Sequence, residues 1–322
     1  MKCPKRRWNE GLGSAPVKAL LAIVLVTACG GYDPHAQDAS PPSRPALIHA
    51  IKKLERSLGF RRTGNFKTHS ETIAAYYRCY YTGKLDLPES YEGLELRQGT
   101  KDGCPVDPAQ YDVFFYPIEA VGSGKSPVTA SLDRDSLERF LVVVPHEDFH
   151  AGKGLRHLPA TVTEASSTLI GFLTASEVAR QQFGADAEVT RNLEQEPDLF
   201  LRKAELVNRY YTRLSEVYAA VKAGEVPASD ALSQKARLFD AMQQQCQAIA
   251  PSPRSFNKCL AANNNAGLAF ERTYTKYYPL TYQVFLAEGR NPKVTIEAIR
   301  KGLTAQPESE ALERLQDLAG RE

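Results

Sequence analysis

Apolar residues along this chain fall into stretches of distinct spacing, and each spacing predicts an element. Leu47, Ile48, Ile51, Leu54 and Leu58 recur at helical intervals and predict an amphipathic helix closed by Gly59. From residue 60 to 127 that rhythm is lost. Residues 73–81 and 111–118 have the aromatic and β-branched composition of strands, with turn residues around Gly83, Gly99 and Gly103. Residues 122–127 read as a loop, and 128–132 as a short extended piece. Asp135-Ser136-Leu137-Glu138 then has the spacing of a helix N-cap followed three residues later by Glu. Leu137, Phe140, Leu141 and Val144 continue at helical intervals, although the branched run 141–144 would also suit a strand. Pro145 predicts a bend. A further entry at 159–163 opens a long helix that ends near Gly184.

Beyond Gly184 the pattern is helical almost throughout. Leu199, Leu206, Tyr210, Leu214, Val217 and Val221 mark a long helix ended by Gly224 and Pro227. Residues 229–249 form another, with Leu232, Ala236, Phe239 and Met242 on one face, and two short helices are expected near 292–304 and 308–319. No internal repeat is present. The expected fold class is α+β and predominantly helical: a mixed part with a small sheet over 46–184, then an all-helical part over 185–322.

The first 45 residues have no such core pattern. Lys2, Lys5, Arg6 and Arg7 precede an apolar run of about ten residues, 19–28, which is too short to span a bilayer and reads as a signal peptide. The run ends Val26-Thr27-Ala28-Cys29, which resembles a bacterial lipobox and implies cleavage before Cys29 with lipid on its thiol. Ordinary secretion with Cys29 unmodified is the alternative. Residues 29–45, rich in Pro, Gly and Ser, are then a tether. The expected location is the bacterial cell envelope, lipid-anchored and facing the periplasm or exterior.

Charge and cysteines fit that picture. The chain holds 40 Lys and Arg against 38 Asp and Glu. Removing 1–28 takes five basic residues and one acid, leaving 35 against 37 and a formal charge of −2. Nothing basic points to nucleic acid. Cys79, Cys104, Cys246 and Cys259 remain for an oxidising compartment. Three pairings are possible, and loop closure favours the local ones, Cys79–Cys104 and Cys246–Cys259.

The candidate chemistry lies in His146-Glu147-Asp148-Phe149-His150. Two histidines four apart on a helix lie on one face and can present two imidazole nitrogens to one metal, while Glu147 beside them can take a proton from a water the metal activates. The bland alternative is two histidines that happen to share a helix face. Catalytic zinc takes three protein ligands and keeps a position for water. Glu164, early in the next helix, is the preferred third ligand, with a first-turn glutamate stabilised by the helix dipole as its plain alternative. His157 does not keep the spacing needed for a third histidine ligand. Asp148 has two readings, orienting a histidine or facing solvent, the second being commoner.

These features resemble the bacterial "predicted aminopeptidase" family, exported zinc-peptidase-like proteins of the gluzincin type. The residues that carry the likeness are the lipobox, Asp112-Val113, Pro127-Val-Thr-Ala-Ser-Leu132, the pentad, Thr163-Glu164-Ala165, and Asn264-Asn265-Ala266 with Thr273-Tyr274. Thr163, Ser166 and Ser167 depart from that family's pattern around the third ligand, and Asp148 replaces a nonpolar residue. The resemblance implies a zincin-like fold and one Zn2+ per chain on His146, His150 and Glu164. It also implies Glu147 as base, and a cleft lined by Asn264, Asn265 and Tyr274. Tyr274 would donate to the carbonyl oxygen of a peptide substrate; the alternative is that it packs in the core while the Asn run caps a helix. By analogy with zinc peptidases, the extended piece containing Thr129 and Ala130 would pair with the substrate backbone. The G-x-M-E-N stretch that aminopeptidases use to hold the substrate amine is absent. The rival reading is an inactive zincin-fold surface lipoprotein that binds a peptide or protein partner.

Overall fold

The computed structural model describes residues 42–152, 155, 157–255, 263–304 and 307–320. Helix α1, Arg44–Ser57, starts where Ser43 caps it, and it buries Leu47, Ile48, Ile51 and Leu54 as their spacing predicts. Three antiparallel strands follow: β1 (Tyr76–Gly83), β2 (Glu95–Gln98) and β3 (Tyr111–Ile118), in spatial order β2-β1-β3. Arg78 stands opposite Tyr116 and Tyr80 opposite Phe114, so strand alternation places Arg78, Tyr80, Phe114 and Tyr116 on one face. Cys79 and Phe115 take the other face, where Cys79 bonds Cys104. Cys259, the expected partner of Cys246, lies outside the described residues, as do the signal segment and Cys29.

The helices are α2 (Ala130–Arg134), α3 (Leu137–His150), α4 (Ala160–Phe183), α5 (Glu188–Lys222), α6 (Ala228–Gln247), α7 (Asn265–Thr275), α8 (Tyr278–Ala287), α9 (Pro292–Leu303) and α10 (Glu308–Ala319). A mostly helical chain with one small antiparallel sheet is an α+β fold. Helix α4 is the axis: it touches α1, α3, α5, α7, α8 and α9, and Leu169, Ile170 and Phe172 are fully buried. One apolar cluster runs from Leu47 to Leu318 across the expected boundary at 184–185. A smaller cluster of Tyr80, Phe114, Ala266, Ala269 and Phe270 seats α7 on the sheet.

Several elements differ from expectation. The extended piece 128–132 makes only one bridge, Val128 to His69, before Thr129 caps α2. Strand β2 has four exposed residues, and so no apolar alternation to announce it. The N-cap of α3 is Ser136, whose hydroxyl accepts from Arg139 N–H at 3.2 Å; Asp135 instead terminates α2. Helix α3 continues through Pro145, and residues 141–144 are buried because neighbours cover the helix all round, which explains its unbroken apolar run. Among the described residues no helix is long and apolar enough to cross a membrane.

Candidate metal centre

Helices α3 and α4 make the site by packing closely. Gly171 of α4 permits this approach: a Cβ there would stand 3.0 Å from the Val142 carbonyl and 3.3 Å from the His146 Cβ. The first turns of α4 thereby face the last turn of α3. His146 Nε2 and His150 Nε2 lie 3.2 Å apart, and Glu164 Oε2 is 3.1 Å from the first and 2.9 Å from the second.

Those three edges test whether a metal fits. Zinc–ligand distances of 2.0–2.1 Å put neighbouring ligands of a tetrahedral ion about 3.3 Å apart. The observed triangle is close in size to one face of such a tetrahedron, with edges slightly shorter. Its electrostatics agree. Burial would raise the Glu164 pKa, but His150 and His146 outweigh it and hold the carboxyl well below its usual range. Burial would likewise lower His150, yet Glu164 raises it to about 9. The carboxylate thus demands a positive charge on its neighbours, and a cation bound by all three meets that demand in place of a proton. Among the described residues no fourth His, Cys, Asp or Glu joins the trio.

Glu147 is half-buried beside the trio, on the wall of a cavity of about 450 Å³ that His146, His150, Glu164 and Tyr274 also line. Burial raises its pKa, with the two histidines opposing. The loop after β3 crosses directly over it. A Cβ on Gly122 would meet the Glu147 carbonyl at 2.9 Å and its Oε2 at 3.2 Å, so only glycine lets the chain pass here.

Tyr274 stacks on His146, with ring centroids 6.2 Å apart, and packs against Phe270 at 5.5 Å. Burial, followed by the nearby Glu164, raises its pKa well above the ordinary value and keeps the phenol protonated as a donor.

The other expected cleft residues lie elsewhere. Asn264 is the N-cap of α7; its side chain accepts from Gly267 N–H and donates to the Val113 carbonyl. Asn265 is fully buried and donates to the carbonyls of Lys84 and Asp86, while Tyr218 donates to it. Both Asn side chains join α7 to the sheet, since a helix N-terminus brought against strand ends needs its backbone groups paired. Thr129 is buried, caps α2 and donates to the Glu119 carbonyl at 2.7 Å, and Ala130 N–H bonds Ile73 O. Neither lines the cavity; its sheet-side wall comes from Arg78, Tyr80, Tyr116 and Ile118, and residues 119–123 continue it. His157 is exposed and outside the trio. Asp148 is neither solvent-facing nor bonded to a histidine ring in this cluster. It is 1% exposed and receives bonds from Lys52, from Thr63 Oγ1 at 2.6 Å and from Asn65 Nδ2 at 3.1 Å.

One residue was not anticipated. Tyr91, in a 3-10 turn at Tyr91–Gly93, donates its hydroxyl to Glu164 Oε1 at 3.0 Å, leaving Oε2 for the histidine side. The same turn holds both neighbouring helices: Tyr91 N–H bonds Thr273 Oγ1 of α7, and Glu92 Oε2 accepts from Ala160 N–H at the uncapped start of α4. A lone loop tyrosine 73 positions before its partner gives no pattern that could be read in sequence.

The class these residues define is a His, His, Glu group on two packed helices that could hold a metal ion, with a second carboxylate, Glu147, alongside. Comparison with protein-family models, curated proteins and solved structures finds no match for this chain.

Proposed function

We propose that this chain is a single-zinc peptidase of zincin-like build, related to the family it resembles, that hydrolyses peptide bonds outside the cytoplasm from a lipid anchor at Cys29. The observation that carries the reading is the convergence of three donor atoms within 3.2 Å of one another, with Glu147 beside them on the wall of the same cavity. His146, His150 and Glu164 would hold a zinc ion, which would supply Lewis acidity to the attacking water and the scissile carbonyl. Glu147, its pKa raised by burial, accepts the proton of the attacking water and delivers it to the departing amine. Tyr274, kept protonated, donates to the carbonyl oxygen as negative charge develops there. Tyr91 holds Glu164 so that Oε2 is the oxygen presented. The name aminopeptidase comes with the resemblance alone.

The test is digestion of a peptide library by the mature protein, with and without chelator, alongside metal analysis. About one zinc per chain and chelator-sensitive cleavage are expected. Glu147→Gln is expected to lower kcat about 10³-fold while zinc stays bound. Undiminished turnover in that variant defeats the assignment of the base; a folded protein that takes up no metal and cleaves nothing supports the binding-protein reading instead.

A further inference from the structure

The cavity holding Glu147 and the donor trio is also lined by two arginines, and their situations are opposite. Arg139 is fully engaged. Its Nε donates to Glu119 Oε2 at 2.6 Å, Nη1 to the Ser255 carbonyl at 2.9 Å and Nη2 to the Tyr116 hydroxyl at 2.9 Å. Arg78 is half-buried, and among the described residues no group hydrogen-bonds or ion-pairs with its guanidinium. It sits in the middle of β1, directly opposite Tyr116, on the sheet face it shares with Tyr80. Its backbone is thus fixed by a strand with partners on both sides, Gln98 of β2 and Tyr116 of β3.

No Arg78 nitrogen is among the buried side-chain atoms without a partner, so the guanidinium keeps contact with solvent in the cavity, where an incoming anion can reach it. Charge in the cavity points the same way. Of the carboxylates that line it, Glu119 is answered by Arg139, and Glu147 and Glu164 would be answered by a dication held on the trio. Arg78 is the cation left over. We propose that Arg78 receives a carboxylate of the substrate and so selects peptides that present one there. This proposal rests on the peptidase reading for the identity of the anion, because the anions of an unmodified peptide are its C-terminal carboxylate and its Asp and Glu side chains. The planar fork of arginine takes a carboxylate through two parallel hydrogen bonds, which a lysine does not reproduce.

The test uses peptides matched in pairs, C-terminal acid against amide and Asp or Glu against Asn or Gln. They are assayed with zinc-loaded wild-type, Arg78→Gln and Arg78→Lys proteins. Wild type is expected to favour the acidic member of one pair by about 10- to 100-fold in kcat/KM, expressed mainly in KM. Arg78→Gln is expected to bring that ratio close to one, and Arg78→Lys to restore part of it, which a packing role for the side chain would not do. The pair that responds tells a terminal carboxylate from a side-chain one. Equal treatment of both pairs by wild type, or a preference that survives in Arg78→Gln, overturns the proposal. If no peptide is cleaved, the peptidase reading falls separately, and calorimetry of the same pairs on the same proteins still decides Arg78. Acid-selective binding lost in Arg78→Gln upholds the carboxylate site; equal or absent binding removes it.

Discussion

The last turn of α3 buries polar groups on two sides, and the two sides obey different hydrogen-bond arithmetic. Asp148 is surrounded by donors from Lys52, Thr63 and Asn65, so its lone pairs are matched and the cluster ties α3 to α1 and the 63–66 segment. Across the helix, His146, His150 and Glu164 turn their lone pairs toward one another and share whatever protons they hold. The first arrangement is what folding requires of a buried carboxylate. The second has three donor atoms of potential metal ligands facing one another, and a cation bound among them would satisfy all three. Neighbouring residues of one pentad thus serve different purposes, and an accounting of donors tells which is which.

Removing the satisfied side should have the larger effect on stability. Asp148→Ala leaves the ammonium of Lys52, whose side chain is 16% exposed, beside Thr63 and Asn65 without its carboxylate. The expected loss is about 3–5 kcal/mol by denaturant unfolding, with the zinc stoichiometry of the folded fraction retained. A variant of normal stability that failed to hold metal would instead make Asp148 a support of the histidines, and the contrast between the two sides would collapse.

The metal side is probed more gently by Tyr91→Phe, which deletes one hydroxyl from Glu164 Oε1 and changes little else. Zinc affinity, measured by competition with a chromophoric chelator, is expected to fall about 10-fold, toward the low end for partners that orient a ligand. Stability should change by about 1 kcal/mol. Unchanged affinity would mean that helix packing alone aims Glu164.

Much of this was legible beforehand, and the exceptions have a common cause. The pentad, Glu164 and the helices carrying them follow from spacings of three and four, because a helix turns periodic sequence into a common face. The role of Asn264 as a cap is a local one, and the sequence allowed for it. Tyr91, Arg78 and the partners of Asp148 depend on which loop or strand crosses which helix, at separations of 73 and 85 residues for Tyr91–Glu164 and Thr63–Asp148. No periodicity encodes such meetings. The extended piece expected at 128–132 fails for a related reason: it has strand composition, but Thr129 turns it into a helix start, and residues 119–123 reach the cavity wall instead.

The finest test of the satisfied side concerns Glu55, which lies 4% exposed on α1 near Lys52 and Asp148. Burial first, and Asp148 next, raise its pKa from 4.5 to about 9, against the pull of Lys52. In the unfolded chain the group ionises near its ordinary value, so between about pH 4.5 and 9 the folded protein binds more protons than the unfolded one. The contribution to stability is therefore fully present below that window and is lost as pH rises through it. Glutamine has no proton to lose. Glu55→Gln should gain on wild type as pH rises, so the difference in Tm between the two proteins is expected to be larger at pH 9 than at pH 5. Comparing the two proteins cancels groups they share, including Glu119, whose pKa burial raises to about 7. A Tm difference that stays constant across the window would mean that Glu55 is ionised throughout, and Lys52 would then be answering two carboxylates at once.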